Sequence, residues 1–450
     1  MLREMKELRF ILFVFLLFVL SDLKAQEETV ASKWTSHFQS TVVYQYQGGF
    51  HAKYSGEKSL DTLHNEAYSQ TNTLFLGRRL WKGASLVINP EVTGGTGVSN
   101  VFGLAGAPNG EIYRVGNPRP TLFLARGYFQ QEFPLRNTAY ALQSDDRNQL
   151  KGKVATSRIV MQVGKFGISD FFDNNLYNHD ARSQFLNWSL MASGSWDFPA
   201  DLRGYTAGVI VQLIKPSFAI RTAAVMVPEK ANGLILDRKI LKANSETLEI
   251  EKGLLVKSHP GSIKFTSYVT FSRAPIYLRA IQDLELHDSV RYNVITGSTK
   301  WDKFEGLKYG FGINYSQEIS SGLGMFSRLN FNDGKSASWA FTEIDRNFQI
   351  GYNLMGLKWK RKNDVLGMAL AINGLSAEHR KYLEKGGLGF IIGDGQLNYG
   401  SENIFETFYR AQLNSFLFVS ADYQFIINPG YNKDRSGPVN IVGVRVHVEF

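Results

Sequence analysis

The chain has 450 residues, no cysteine, 32 Phe, 20 Tyr and 7 Trp, and a formal net charge of +9. Without cysteine there can be no disulfide, thiolate metal site or cysteine nucleophile. The basic excess is spread along the sequence, and no basic run with interleaved aromatics marks a nucleic-acid surface.

Arg3, Lys6 and Arg9 precede an apolar run from Phe10 to Leu20. That run is too short for a membrane anchor and fits the core of an export signal. Ala25 before Gln26 is the expected cleavage point, although Leu23 departs from the small-residue preference. Residues 1–25 are therefore expected to be a signal peptide, and 26–450 a single exported domain. Past the leader no eighteen-residue apolar stretch occurs, so no transmembrane helix is expected.

The rest of the chain is instead a series of alternating segments bounded by turn residues. They are Trp34–Tyr46, Gln70–Leu80, Ala84–Thr93, Leu122–Glu132, Ser157–Phe166, Tyr205–Leu213, Ser217–Val227 and Glu246–Leu255. Then come Ser262–Ser272, Leu307–Gln317, Leu323–Asn332, Asn347–Lys358, Asp364–Asn373, Asn403–Gln412, Phe416–Ile427 and Val439–Phe450. Tight turns alternate with long links, and segments of roughly 9–11 residues suffice to cross a bilayer as tilted strands. The expected fold is all-β: a transmembrane antiparallel barrel of about sixteen strands, with short periplasmic turns and long extracellular loops in an outer membrane. The count of sixteen holds to within about two strands. The link 133–156 breaks it, because a short turn is due there; either the turn is enlarged or it holds further structure.

Strands alternate faces, so apolar residues fix the lipid side and their neighbours line the lumen. In Leu122–Glu132 this sends Phe123, Ala125, Gly127 and Phe129 out, and Leu124, Arg126, Tyr128 and Gln130 in. Arg158 and Gln162 point in, as do Arg221 and, on the last strand, Arg445, His447 and Glu449. Arg79 shares the inner face with Thr73 and Gly77. An arginine on the lipid side at mid-membrane would cost roughly 2–4 kcal/mol, which constrains these phases. Arg79, Arg126, Arg158 and Arg221 are thus candidates for an eyelet, or they brace the wall through carboxylate partners. The loop Gly167–Gly204 carries Asp173, Asn175, Trp188 and Asp197, polar and aromatic groups of the kind that contact sugars. It either folds inward as a constriction or is a solvated surface loop. No carboxylate pair, histidine spacing or phosphate loop singles out catalysis, a metal or a cofactor, so no enzyme is expected.

Several segments together resemble the carbohydrate-selective outer-membrane porins of the OprB type. They are FLGRRLW at Phe75–Trp81, INPE at Ile88–Glu91, GLAGAPNGE at Gly103–Glu111 and LARGYFQQ at Leu124–Gln131. Others are DFFDNNLYNHDARSQFLNWSL at Asp170–Leu190, WDFPADLRGYTAG at Trp196–Gly208, ANG at Ala231–Gly233, ADYQFIINPGYNKDRSGPV at Ala421–Val439 and VRVHVEF at Val444–Phe450. The resemblance implies a sixteen-strand porin, passive diffusion, neutral sugars as solutes and an eyelet role for Arg79. The terminal Phe450 resembles the signal read by barrel-assembly machinery. Expected partners are sugars or other small polar solutes, outer-membrane lipid and lipopolysaccharide, and that machinery. The oligomeric state, monomer or trimer, stays open. The alternatives are a general or anion-preferring porin, a non-conducting barrel with binding loops, and an exported soluble lectin.

Overall fold

Leu307, Tyr309, Phe311 and Ile313 all point outward and are 43–49% exposed, while Lys308 between them is buried. Period-two alternation thus becomes an apolar exterior and a polar interior, repeated around a closed wall. The computed structural model describes residues 33–112 and 119–450; the expected signal peptide lies outside the described residues.

Sixteen strands close one antiparallel barrel. The first four are β1 (Trp34–Gln47), β2 (Asn65–Arg79), β3 (Ala84–Gly95) and β4 (Thr121–Pro134). A separate hairpin, β5 (Tyr140–Gln143) and β6 (Gly152–Ala155), lies in the anomalous link. The wall continues with β7 (Arg158–Phe166), β8 (Thr206–Lys215), β9 (Phe218–Val225), β10 (Asn244–Val256), β11 (His259–Ser272) and β12 (Gly306–Ser320). It ends with β13 (Leu323–Asn332), β14 (Arg346–Gly356), β15 (Arg361–Gly374), β16 (Glu402–Gln412), β17 (Leu417–Ile427) and β18 (Val439–Glu449). The expected sixteen wall strands are present, and the enlarged turn holds a two-stranded element of its own.

Strands β1 and β18 close the wall, in a register running from Gln39 opposite Glu449 to Gln47 opposite Ile441. Closure satisfies both edge strands, as a lipid-embedded sheet requires. Phe450 extends the seam: its N–H donates to the Phe38 carbonyl at 2.9 Å and its carbonyl accepts from Phe38 N–H at 3.2 Å. Its ring stacks on Phe416 at 5.3 Å and Phe38 at 6.4 Å between centroids.

Six turns of two to four residues and the enlarged β4–β7 link occupy one rim, and eight longer loops the other. Two of the long loops carry helices, Tyr277–Glu285 with Val290–Ile295, and Ala377–Glu384. These pack together through Tyr277, which stacks on His379 at 4.5 Å. No helix among the described residues is long and apolar enough to cross a membrane.

One phase expectation is overturned. Asn89 pairs with Arg126 but Pro90 pairs with Leu124, leaving Ala125 as an extra residue in β4. This bulge sits opposite a proline, which cannot donate to the ladder. It resets the alternation. Leu122 and Leu124 point outward at 70% and 46% exposed, whereas Phe123 turns in to meet Tyr205. Leu124 is therefore not a lumen residue and Phe123 is; below the bulge, Arg126, Tyr128 and Gln130 point in as expected.

Candidate pore constriction

The wall strands β10 to β18 present buried polar groups to the lumen, and the loop 167–205 folds in to meet them. Glu406 on β16 accepts the N–H groups of Leu186 and Asn187 at 2.5 and 3.0 Å. Glu249 on β10 accepts the N–H of Asp173 at 2.6 Å. A loop inside a barrel must have its backbone polar groups paired, and these carboxylates pair them.

The loop residues expected to touch solute are largely spent on this bracing. Asp173 is buried, accepting from Arg328 Nε at 3.1 Å, Ser193 N at 2.6 Å and Asn314 Nδ2 at 2.7 Å. Asn175 donates to Asn314 Oδ1 at 2.6 Å. Asp197 faces Lys308 Nζ at 3.2 Å and accepts the N–H groups of Trp339, Ala340 and Phe341 at 2.7–2.9 Å. Trp188 alone of the four borders open lumen: its indole N–H donates to the Asn109 carbonyl at 3.0 Å, its ring stacks on Phe341, and it lines the outer cavity.

The four arginines do not share one depth. Arg126 on β4 grips Asp170 through Nε and Nη2, at 2.7 and 2.6 Å, and donates from Nη1 to Asn89 Oδ1 at 3.1 Å. Arg221 on β9 pairs with Glu249 at 2.9 Å and Glu251 at 2.7 Å. Arg158, at the short-turn end of β7, faces Glu132 at 3.5 Å and donates to the Ala155 carbonyl at 2.7 Å. Arg79 lies on the inner face with Thr73 and Gly77, at the same end, and donates to the Lys151 carbonyl at 2.8 Å. They do not form one ring. Arg126 lies in mid-lumen, whereas Arg79 and Arg158 border the cavity below it.

Because the loop fills the β10–β18 side, open space remains along β2, β3, β4, β7 and β8. Three cavities line that wall: an outer one of about 140 Å³, a middle one of about 460 Å³ and one of about 270 Å³ at the short-turn end. Outer and middle cavities meet at a neck bordered by Glu111, Arg182, Phe198, Arg203 and Tyr205. Arg182 is held on three sides, by Glu111 at 3.1 Å, Glu91 at 3.1 Å and Thr73 at 2.9 Å. Tyr205 donates its hydroxyl to Glu91 at 3.0 Å, and Arg126 lies 5.3 Å over its ring.

Arg203 differs from the other arginines. Its guanidinium stacks on Phe123 at 4.3 Å, and among the described residues no oxygen accepts a hydrogen bond from that group. Its donors are therefore free to meet a solute at the neck. Burial pushes the Glu111 carboxyl up against the pull of Arg182, and pushes Asp201 up against Lys165, 3.6 Å away. Burial also acts on Asp180, but Arg147 and Arg182 outweigh it and hold that carboxyl well below the usual range.

Glu91, Glu111, Arg182, Arg203, Tyr205 and Phe123 do not stand out as site residues in the sequence. Phasing β3 is enough to find Glu91, which alternates with outward Ile88 and Val92. The bulge hides Phe123, and nothing local distinguishes Arg203 from its neighbours.

A family model described as carbohydrate-selective porin, OprB family, matches residues 57–450. No curated protein matches the chain. Among solved structures, the high-pH form of Pseudomonas putida OprB is similar at 16% identity with a TM-score of 0.68, covering 94% of this chain and 100% of that one. Its low-pH form gives 12% and 0.49 over 93% of each chain. The outer-membrane channel DcaP of Acinetobacter baumannii gives 9% and 0.48, covering 95% of this chain and 100% of that one. The first of these likenesses bears on the fold alone. With a sixteen-strand barrel, an inward-folded loop and a family match that reaches the terminal Phe450, this chain belongs to the OprB family of carbohydrate-selective porins, channels of the outer membrane.

Proposed function

We propose that the protein is a passive porin that admits small neutral sugars, with the neck at Arg203 as its selective point. The observation that carries this reading is the free Arg203 fork on Phe123, amid aromatic faces and balanced charge. Arg126, Lys165, Arg182 and Arg203 surround the neck, and Glu91, Glu111, Asp170 and Asp201 face them. A neutral field attracts neither ion strongly, so hydroxyl donors and acceptors gain by comparison. Aromatic faces take sugar C–H surfaces while Arg203 donates to hydroxyls.

Within this reading Arg126, Arg158 and Arg221 set the field while paired. Asp173, Asn175 and Asp197 hold the constriction in shape, Trp188 borders the approach, and Arg79 acts at the exit. The gradient drives flux, so no cofactor is needed. Liposomes containing the purified protein should take up glucose or short oligosaccharides saturably, and planar bilayers should show small ion conductance that added sugar blocks. Strong anion selectivity with no sugar block would favour the general anion porin instead. Absence of any pore would refute both and leave the non-conducting barrel.

A further inference from the structure

Every other turn on the short rim takes two to four residues, yet the link from β4 to β7 takes 23. Its stem, β5 and β6, forms its own sheet, and its tip, residues 144–151, returns into the barrel. A Cβ built on inward-facing Gly77 would fall 2.8 Å from Leu150 Cγ, so the leucine occupies the space that glycine leaves. Arg147 reaches Asp180 of the constriction loop at 2.8 Å and Glu449 of the last strand at 3.4 Å. Asp145 meets His37 of β1 at 3.1 Å. Asn148 and Gln149 border both the middle cavity and the one below it. The tip therefore stands across the route from constriction to periplasm.

Its attachments suit reversible docking. Apart from Leu150 and the Arg147–Asp180 pair, they are hydrogen bonds and partly exposed ionisable contacts, which hold weakly in water. The stem is tied mainly to itself and to its own connectors, with Leu135 N–H donating to Ser157 and Thr156 N–H to Ala139. We propose that residues 144–151 form a periplasmic gate: docked on Gly77, Asp180 and Glu449 they close the exit, and undocked they open it. This rests on the porin reading.

The cysteine-free chain permits a clean test. In Gly77→Cys/Leu150→Cys the new Cβ at 77 faces the side chain of residue 150, whose Cγ now lies 2.8 Å from it, and a disulfide spans Cβ atoms about 3.5–4.5 Å apart. After oxidation, verified by thiol titration, single-channel conductance and liposome sugar uptake should fall at least fivefold, and reduction should restore both. Equal flux in oxidised and reduced channels would overturn the gate. A second variant replaces 144–151 by Gly-Gly and leaves every wall strand intact. It should conduct at or above the reduced level; conductance equal to that of the oxidised channel would overturn the gate. If parent, reduced and shortened channels all pass nothing, the porin reading falls and the gate with it.

Discussion

Replacing Asp197 by alanine separates bracing from solute contact. Asp197 is 3% exposed and serves four donors, the Lys308 ammonium and three consecutive backbone N–H groups. Removing one partner of a buried ion pair costs about 3–5 kcal/mol, because the other charge is stranded. Each buried amide left without an acceptor adds roughly 1–3 kcal/mol before water enters. With such relief, a net cost of about 5 kcal/mol is expected, a large share of the roughly 5–15 kcal/mol that stabilises a whole domain. The sixteen-strand ladder does not depend on Asp197, so the loss should release the loop 167–205 and its contact with 339–341 locally, leaving the barrel folded. Bilayer recordings should show higher conductance and weaker sugar block in D197A, with new protease cuts within 167–205. D197N, which keeps an acceptor but no charge, should fall between. Parental conductance and protease resistance combined with lost sugar block would refute bracing and make Asp197 a solute contact.

Three further outcomes are expected. Arg203→Ala removes charge-assisted donors worth about 1.5–3 kcal/mol per hydrogen bond, so sugar block should weaken about tenfold or more, with barrel stability on heating unchanged; an unaltered blocking constant counts against the neck. The Glu111 carboxyl is raised by burial, so acidification should neutralise it while ordinary carboxylates, near about 4.3, remain ionised. The neck then gains positive charge as pH falls, and reversal potentials in a salt gradient should move toward anion preference; Glu111→Gln should show that preference at neutral pH and lose this pH response. Deleting Phe450 removes the seam contacts with Phe38 and Phe416, so detergent-extracted folded barrel should decrease while the assembled channels keep parental selectivity; altered selectivity at normal yield would contradict an assembly role.

Much of the wall was legible because one physical demand is imposed on every strand. Lipid outside and water inside force period-two alternation, so Val442, Val444 and Val446 announce their face without any neighbour. The inward phases of Arg79, Arg158 and Arg221 arise for the same reason. That rule fails at Ala125, where a bulge opposite Pro90 inserts one residue and inverts the face of Phe123 and Leu124. Registers of this kind depend on two strands together, and a single-strand pattern does not contain them.

The amino-acid sequence by itself determined the barrel and a strand number of about sixteen, since both rest on local alternation and turn spacing; the inward fold of the loop 167–205 was decided only by its backbone pairing with Glu249 and Glu406 on the wall. Only the tertiary structure decided which polar residues are spent and which remain available. Asp173, Asn175 and Asp197 look like solute ligands in the loop, yet wall residues up to 155 positions away in the chain consume them. Arg203, which no pattern distinguishes, is left with a free fork because its neighbours at the neck are an aromatic face and groups already paired. Hydrogen-bond satisfaction is a property of the assembled lumen, and a residue's chemistry becomes function only after that pairing is complete.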